Sequence, residues 1–220
     1  MNELDTQYLE KSKFSIDLEN IQDYMNLQDV LDGKISAEDA KHIVSYTGFT
    51  SGLLNLSIIN KNIADTCLLM EHDAKLTHSL GLLSPFNNQQ VYRMQIDMDY
   101  DSLIADYKNF FSSNIGQVIR SHHYLSTSKN DWKTTNVVYI IKTLSKNSNA
   151  RDISKVTNNA DENEVLFIKG TNFLIREVKE ECGVLYIALD ETNDLHTLDY
   201  YYSNIFTDTA MEDEEPGLFD

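Results

Sequence analysis

A chain of 220 residues with an apolar fraction of 41%, 12 Tyr and 9 Phe holds enough apolar mass for one sizeable core, which excludes a wholly disordered protein. Its formal net charge of -17, from 35 acidic and 18 basic side chains, argues against broad contact with a phosphate backbone and favours partners with basic surfaces. Only Cys67 and Cys182 occur, far apart and without zinc-knuckle or disulfide-framework spacing, so a reducing compartment is expected.

The opening MNELDTQYLEKSK has neither a basic start nor an apolar run, and no later segment approaches the ~20 apolar residues of a membrane helix. A soluble, cytoplasmic protein is expected, with no membrane partner. From residue 1 to about 85 the pattern is helical, with Ile21, Tyr24, Met25, Leu27 and Leu31 recurring at spacings near three and four. Gly33 ends that helix. Ser36 can cap the next, with Glu38 and Asp39 at its positive end, and this helix runs to Tyr46 and stops before Gly48. Further helices are expected over 53–63 and 65–79, and Pro85 in LLSPFNNQQ closes the helical part.

The period then changes to two. Tyr92, Met94, Ile96 and Met98 alternate with Arg93, Gln95 and Asp97, which predicts a half-buried strand with a polar outer face. A helix over 101–112 follows, then strands at 122–127, 136–143, 164–168, 172–178 and 184–189. The fold class is therefore α+β. Its parts are a helical portion (1–87), a strand-rich core (88–198) and an acidic tail (199–220), in which Asp199, Asp208, Glu212, Asp213, Glu214, Glu215 and Asp220 stand without a Lys or Arg.

Glu162 and Glu164, in DENEVLFI, are the sharpest chemical feature. On an extended strand, residues i and i+2 share a face with their backbones about 7 Å apart, so two carboxylates would share one cleft. Such a pair can divide labour: one stabilises a sugar cation while the other positions or deprotonates a nucleophile. On a helix the same spacing would part them. Upstream, YLSTS puts the hydroxyls of Ser126 and Ser128 on one strand face and Thr127 on the other, and Ser126 can hydrogen-bond Glu164 and fix its carboxylate. Arg93, directly after Tyr92, has a planar fork suited to a diphosphate. Each motif alone is also an ordinary surface pattern; their ordered combination is what points to a site.

These motifs, VYRMQ at Arg93, YLSTS at Ser126 and DENE followed by VLFIKGTNFLI, resemble the Arg-Ser-Glu class of mono-ADP-ribosyltransferases, found among bacterial toxin components and enzymes of tailed bacteriophages. The resemblance covers residues 88–190. Met94 and Gln95 stand where the family usually carries an aromatic residue and Gly near the Arg motif. The resemblance implies N-terminal helices packed on two small, mostly antiparallel sheets whose cleft holds extended NAD. It further implies that Glu164 is the catalytic glutamate, that Glu162 engages the acceptor, and that Arg93 binds NAD phosphate. Ser126 supports both chemistry and cofactor, with Tyr92, Thr127 and Ser128 beside it. In this class Glu-x-Glu marks arginine acceptors, so the implied reaction moves ADP-ribose from NAD to arginine side chains of target or host proteins and releases nicotinamide.

The segment Arg151–Asp161 corresponds to the family's target-contacting loop, and Trp132 either stacks on nicotinamide or packs. His122 and His123 raise the His-Tyr-Glu class, which lacks the hydroxyl triplet and glutamate pair. Neither HExxH spacing nor a Walker loop nor GxGxxG is present, so no metal is expected. The expected enzyme is monomeric, with an RNA acceptor left open. Its rivals are an NAD glycohydrolase on the same fold and a non-catalytic acidic protein mimicking nucleic acid.

Overall fold

The structure is a computed structural model and describes residues 28–47, 51, 54–55, 58, 67–95, 101–131, 136–157, 160–196 and 198. Ile21, Tyr24, Met25, Leu27, Gly48, Ile96, Asp97, Met98, Trp132, most of 53–63 and the acidic tail lie outside the described residues.

Local sequence sets the helix ends. Helix α1 (Gln28–Leu31) stops at Gly33, whose φ of +69° lets Gly33 N donate to Val30 O and Lys34 N to Asp29 O, both at 3.0 Å. Ser36 then accepts from Asp39 N at 3.0 Å and opens α2 (Ala37–Ser45), which ends at Tyr46 as its sequence predicts. Helix α3 (Cys67–Leu82) takes the place expected for 65–79. Ala40, Ile43 and Val44 of α2 and Leu76 and Leu80 of α3 are buried in one cluster with Tyr124, Ile153, Val156 and Leu166 from the strand-rich part. The Tyr124 hydroxyl ties the layers: it bonds Asp73 Oδ1 at 2.9 Å and Thr77 Oγ1 at 2.6 Å, and Lys169 pairs with Asp73.

Eight strands follow in the described residues: β1 (Gln90–Gln95), β2 (Val118–Arg120), β3 (Leu125–Ser128), β4 (Val137–Lys142), β5 (Ala150–Asp152), β6 (Glu164–Phe167), β7 (Asn172–Glu181) and β8 (Val184–Thr192). Helix α4 (Asp101–Ser113) lies between β1 and β2 in sequence. Hydrogen bonding gives one order, β2-β7-β8-β4-β1-β3-β6-β5, antiparallel except for β4 with β8. The α+β class and the mostly antiparallel pairing are as expected. Two sheets were expected, whereas hydrogen bonding joins the eight strands into one; among the described residues β1 meets β3 at the single register pair Tyr92–Ser128.

One face of the order and Phe111 of α4 enclose the second core, with Val91, Leu125, Val137, Tyr139, Ile141, Val165, Phe167, Phe173 and Ile187 buried. Val91 is thus the buried residue of β1, whereas Tyr92 and Met94 are only half-buried. The reason is register: Val91 faces Ile141 of β4 in the core. Strands β2 and β5 were not foreseen, being three residues each. At the far end, β7 turns into β8 through Cys182 and Gly183, both at positive φ (52° and 79°), the conformation a two-residue hairpin requires. Among the described residues no helix is long and apolar enough to cross a membrane.

Between α2 and α3 the rings of His42 and His72 lie 5.8 Å apart, both buried, and neither nitrogen of His72 has a hydrogen-bond partner among the described residues. Burial, with the charge of His42 and then of Lys75, pushes His72 down to about 4 against the pull of Asp73. His42 is also lowered, chiefly by burial and Lys75, despite Glu38, Asp39 and Glu71 nearby. A histidine depressed in the fold contributes stability above its unfolded pKa that is lost as pH falls, here between about 6.5 and 4. Urea unfolding should therefore show that His72→Leu removes roughly 3 kcal/mol of the stability loss between pH 7 and pH 4. Equal pH dependence in variant and parent would refute the assignment.

Candidate active site

Strand β3 builds the site by dividing its side chains between two environments. Leu125 enters the sheet core, and on the same side the buried Thr127 hydroxyl donates to the Val165 carbonyl at 2.6 Å. Ser126 and Ser128 lie on the opposite face, as the alternation predicts. Register sets Ser126 against Leu166 and Ser128 against Glu164, which makes Ser126 and Glu164 diagonal neighbours. Ser126 Oγ donates to Glu164 Oε1 at 2.6 Å, the bond read from the sequence. Ser128 Oγ donates instead to the backbone carbonyl of Glu162 at 2.7 Å and accepts from Asn130 N at 3.0 Å.

Glu162 departs from the expected geometry. It closes a 3-10 turn (Ala160–Glu162), Asn163 follows at φ +46°, and β6 begins only at Glu164. A shared strand face therefore does not bring the carboxylates together. The left-handed Asn163, a residue type that tolerates this backbone, folds the turn against the end of β3, where Lys129 N donates to Asn163 O at 3.0 Å. The outcome is still a coupled pair. Burial raises the Glu164 pKa to about 7, the Glu162 charge adds to the rise, and the Ser126 hydrogen bond and the Arg93 charge oppose it.

Arg93 comes from β1 across the gap. By strand alternation it shares a face with Val91, so it does not sit on a solvent-facing polar side. Past the Tyr92–Ser128 pair β1 and β3 have no further register pairs among the described residues, and half-buried Arg93 bridges them, Nη1 donating to the Ser126 carbonyl at 2.9 Å. Ser126 is thus held on its main chain by Arg93 and holds Glu164 with its side chain. Tyr92, half-buried, accepts from Gln90 Nε2 at 2.6 Å through its hydroxyl.

The expected target-contacting segment 151–161 is partly interior. Arg151 is buried on β5, Nε donating to Leu80 O at 3.0 Å and Nη1 to Ala150 O at 2.9 Å, while Ile153 and Val156 enter the helical core. Burial lowers the Arg151 pKa, and the Glu191 charge opposes it. Glu191 is itself buried, accepting from Leu144 N, Ser148 Oγ and Asn149 N at 2.6–2.9 Å, and so fixes the loop that leads into β5. His123 is buried with Nδ1 2.7 Å from the Tyr124 carbonyl. Asn163 and Lys129 were not singled out from sequence; an Asn directly before a strand was the available signal for the turn.

A family model described as ADP-ribosyltransferase exoenzyme matches residues 14–196. Among solved structures, the chain is similar to Plx2a, an ADP-ribosyltransferase toxin from Paenibacillus larvae, at 16% identity and a TM-score of 0.64, over 82% of this chain and 98% of that one. It is also similar to C3stau2 from S. aureus, solved with NAD, at 18% identity and a TM-score of 0.58, over 75% and 91% of the two chains. The ADP-ribosyltransferase Vis, solved in complex with agmatine, aligns at 15% identity and a TM-score of 0.53, over 72% of this chain and 76% of Vis. At these identities the structural likeness is one of fold. No curated protein matches the chain in sequence.

A carboxyl group whose pKa is raised in the fold contributes stability below its unfolded pKa that is lost as pH rises through the folded value, here about 7. Glu164→Gln should therefore be more stable than the parent at pH 8, by roughly 3 kcal/mol, with the difference vanishing near pH 4. Chemical denaturation at the two pH values checks this. An unstabilised variant at pH 8 would mean that Glu164 carries no burial penalty.

Proposed function

Because the chain belongs to the ADP-ribosyltransferase exoenzyme family, we propose that it transfers ADP-ribose from NAD to the guanidinium of arginine on target proteins, releasing nicotinamide. The observation that carries this reading is the buried Glu164 carboxylate, oriented by Ser126 and coupled to a second carboxylate on a separate turn.

In the reaction the bond between ribose C1′ and the nicotinamide nitrogen breaks, its electron pair leaves with neutral nicotinamide, and positive charge develops on the ribose. Glu164 lies ready to stabilise that charge, and its fixed rotamer spares reorganisation in the transition state. Glu162 orients the incoming guanidinium and takes the proton lost when nitrogen bonds to C1′. Arg93 supplies positive charge for the diphosphate, one arm of its fork already anchored on Ser126. Ser126 and Tyr92 border that site, whereas the hydroxyls of Thr127 and Ser128 serve the cradle through Val165 and Glu162. The acceptor assignment is supported by the acidic residue at 162 and by agmatine, a guanidinium compound, in the Vis complex. The acidic surface favours approach of basic targets. The enzyme acts as a cytoplasmic monomer on this reading.

Mass spectrometry of lysate proteins incubated with NAD tests it. The parent should modify arginine, whereas Glu162→Gln should lose at least about tenfold of that transfer and keep NAD cleavage. Label on RNA, or nicotinamide release without any modified protein, would replace the proposal by an RNA-directed enzyme or a glycohydrolase. Chemistry that needs the Glu164 carboxylate is lost as pH falls through its pKa. Thus kcat/KM for NAD should fall about tenfold per unit below pH 7, and a flat profile from pH 5 to 8 would show that this carboxylate is not the titrating group.

A further inference from the structure

Strand β3 is followed directly by a lysine, Lys129, that no step of the chemistry above uses. The Lys129 side chain is half-buried, 27% exposed, as is that of Asp152 beside it. Its ammonium donates to Asp152 Oδ2 at 2.6 Å and to Ser154 Oγ at 2.9 Å, and stands 5.7 Å from the centre of the Phe86 ring. Asp152 in turn accepts from Ser154 Oγ at 2.6 Å and from Ser154 N at 3.2 Å. Burial raises the Asp152 pKa, but the bonds from Lys129 and Ser154 outweigh it and hold the carboxyl below its ordinary value. The backbone of the same lysine donates to the Asn163 carbonyl.

One residue therefore touches both flanks of the segment that carries Glu162. The side chain holds the flank leaving β5, and the main chain holds the flank entering β6. Glu164 is secured chiefly by the β3–β6 ladder and by the Ser126 bond, and its carbonyl also accepts from Ile153 N at 3.1 Å, on the flank that Lys129 holds. The two carboxylates thus lean on Lys129 unequally: Glu164 keeps its ladder and its Ser126 bond without it, whereas the Glu162 turn, pinned at its carbonyl by Ser128 Oγ, has Lys129 on both flanks.

We propose that Lys129 is a positioning residue for acceptor selection: its grip on Asp152 and Ser154, together with its amide bond to Asn163, sets where the Glu162 turn stands relative to the fixed Glu164. The inference rests on the reading that Glu162 engages a guanidinium acceptor. Replacing the ammonium leaves the Asn163 bond in place but releases the β5 flank and strands the half-buried Asp152 carboxylate without its counter-ion.

The test uses the full chain with Lys129→Met and Lys129→Arg, NAD as donor and agmatine as acceptor. Lys129→Met should raise the KM for agmatine about tenfold and divert NAD toward water, with the KM for NAD unchanged, and Lys129→Arg should restore most of the acceptor KM. Amide hydrogen exchange supplies a readout that needs no acceptor: Ser154, Val156 and Thr157 should exchange about tenfold faster in Lys129→Met, while Val165–Phe167 stay protected. Unchanged exchange at 154–157, or a KM for NAD that rises in parallel with that for agmatine, would overturn the inference. If the parent cleaves NAD but modifies no guanidinium, the proposed function fails at that point. Exchange alone then still decides whether Lys129 braces the turn.

Discussion

Strand β3 works under a constraint on which the rest of the molecule depends: it must pair with two partners to different extents. With β6 it forms a four-residue ladder from Leu125–Phe167 to Ser128–Glu164, and with β1 it shares, among the described residues, only the pair Tyr92–Ser128. Backbone groups that lose a ladder partner inside a protein must find another, and here the Ser126 carbonyl takes the Arg93 guanidinium. The point where the pairing gives way is thus also where a cation, a hydroxyl and a carboxylate come together. Neither half of the sheet could hold this group alone.

The same spot explains the electrostatics. Glu164 is a buried carboxyl beside a like charge, an arrangement that costs stability whenever it is ionised. A single hydroxyl and a nearby guanidinium only partly offset that cost. Rigid supports on every side make such a group tolerable. Tyr124, two residues before Ser126, is locked into the helical layer through Asp73 and Thr77, and Leu166, opposite Ser126, is buried in the same cluster. The helices therefore do more than complete a fold: by strand alternation Tyr124 and Leu166 share the face of Ser126, so the helices brace the very face that carries the site.

Much of this was legible in the chain, and the failures have physical causes. Ser36 and Gly33 mark helix ends because capping and left-handed backbone are decided by one or two residues. The apolar runs of β4, β6 and β8 give their strands away for the same local reason. By contrast, β2 and β5 owe their existence to neighbours, since three residues contain too little pattern to show a period. Arg151 opens the segment that the family resemblance assigns to target contact, but it is buried, and backbone carbonyls of Leu80, Ser148 and Ala150 solvate it. The Ser126–Glu164 bond followed from strand alternation, whereas the place of Glu162 did not. Its position depends on Asn163 leaving the extended region, and contacts remote in sequence stabilise that conformation.

That left-handed residue bears on how such a protein can change over generations. Glu164 belongs to the sheet ladder, so most replacements there disturb pairing, burial and charge together. Glu162 stands two residues outside the ladder, half-buried on a short turn held by its own carbonyl and by its neighbours' main chains, contacts indifferent to its side chain. Mutation can sample this position without endangering the fold. On the roles proposed for the two glutamates, the chain separates a fixed engine from an adjustable selector, and a lineage can acquire new targets while keeping its way of cleaving NAD.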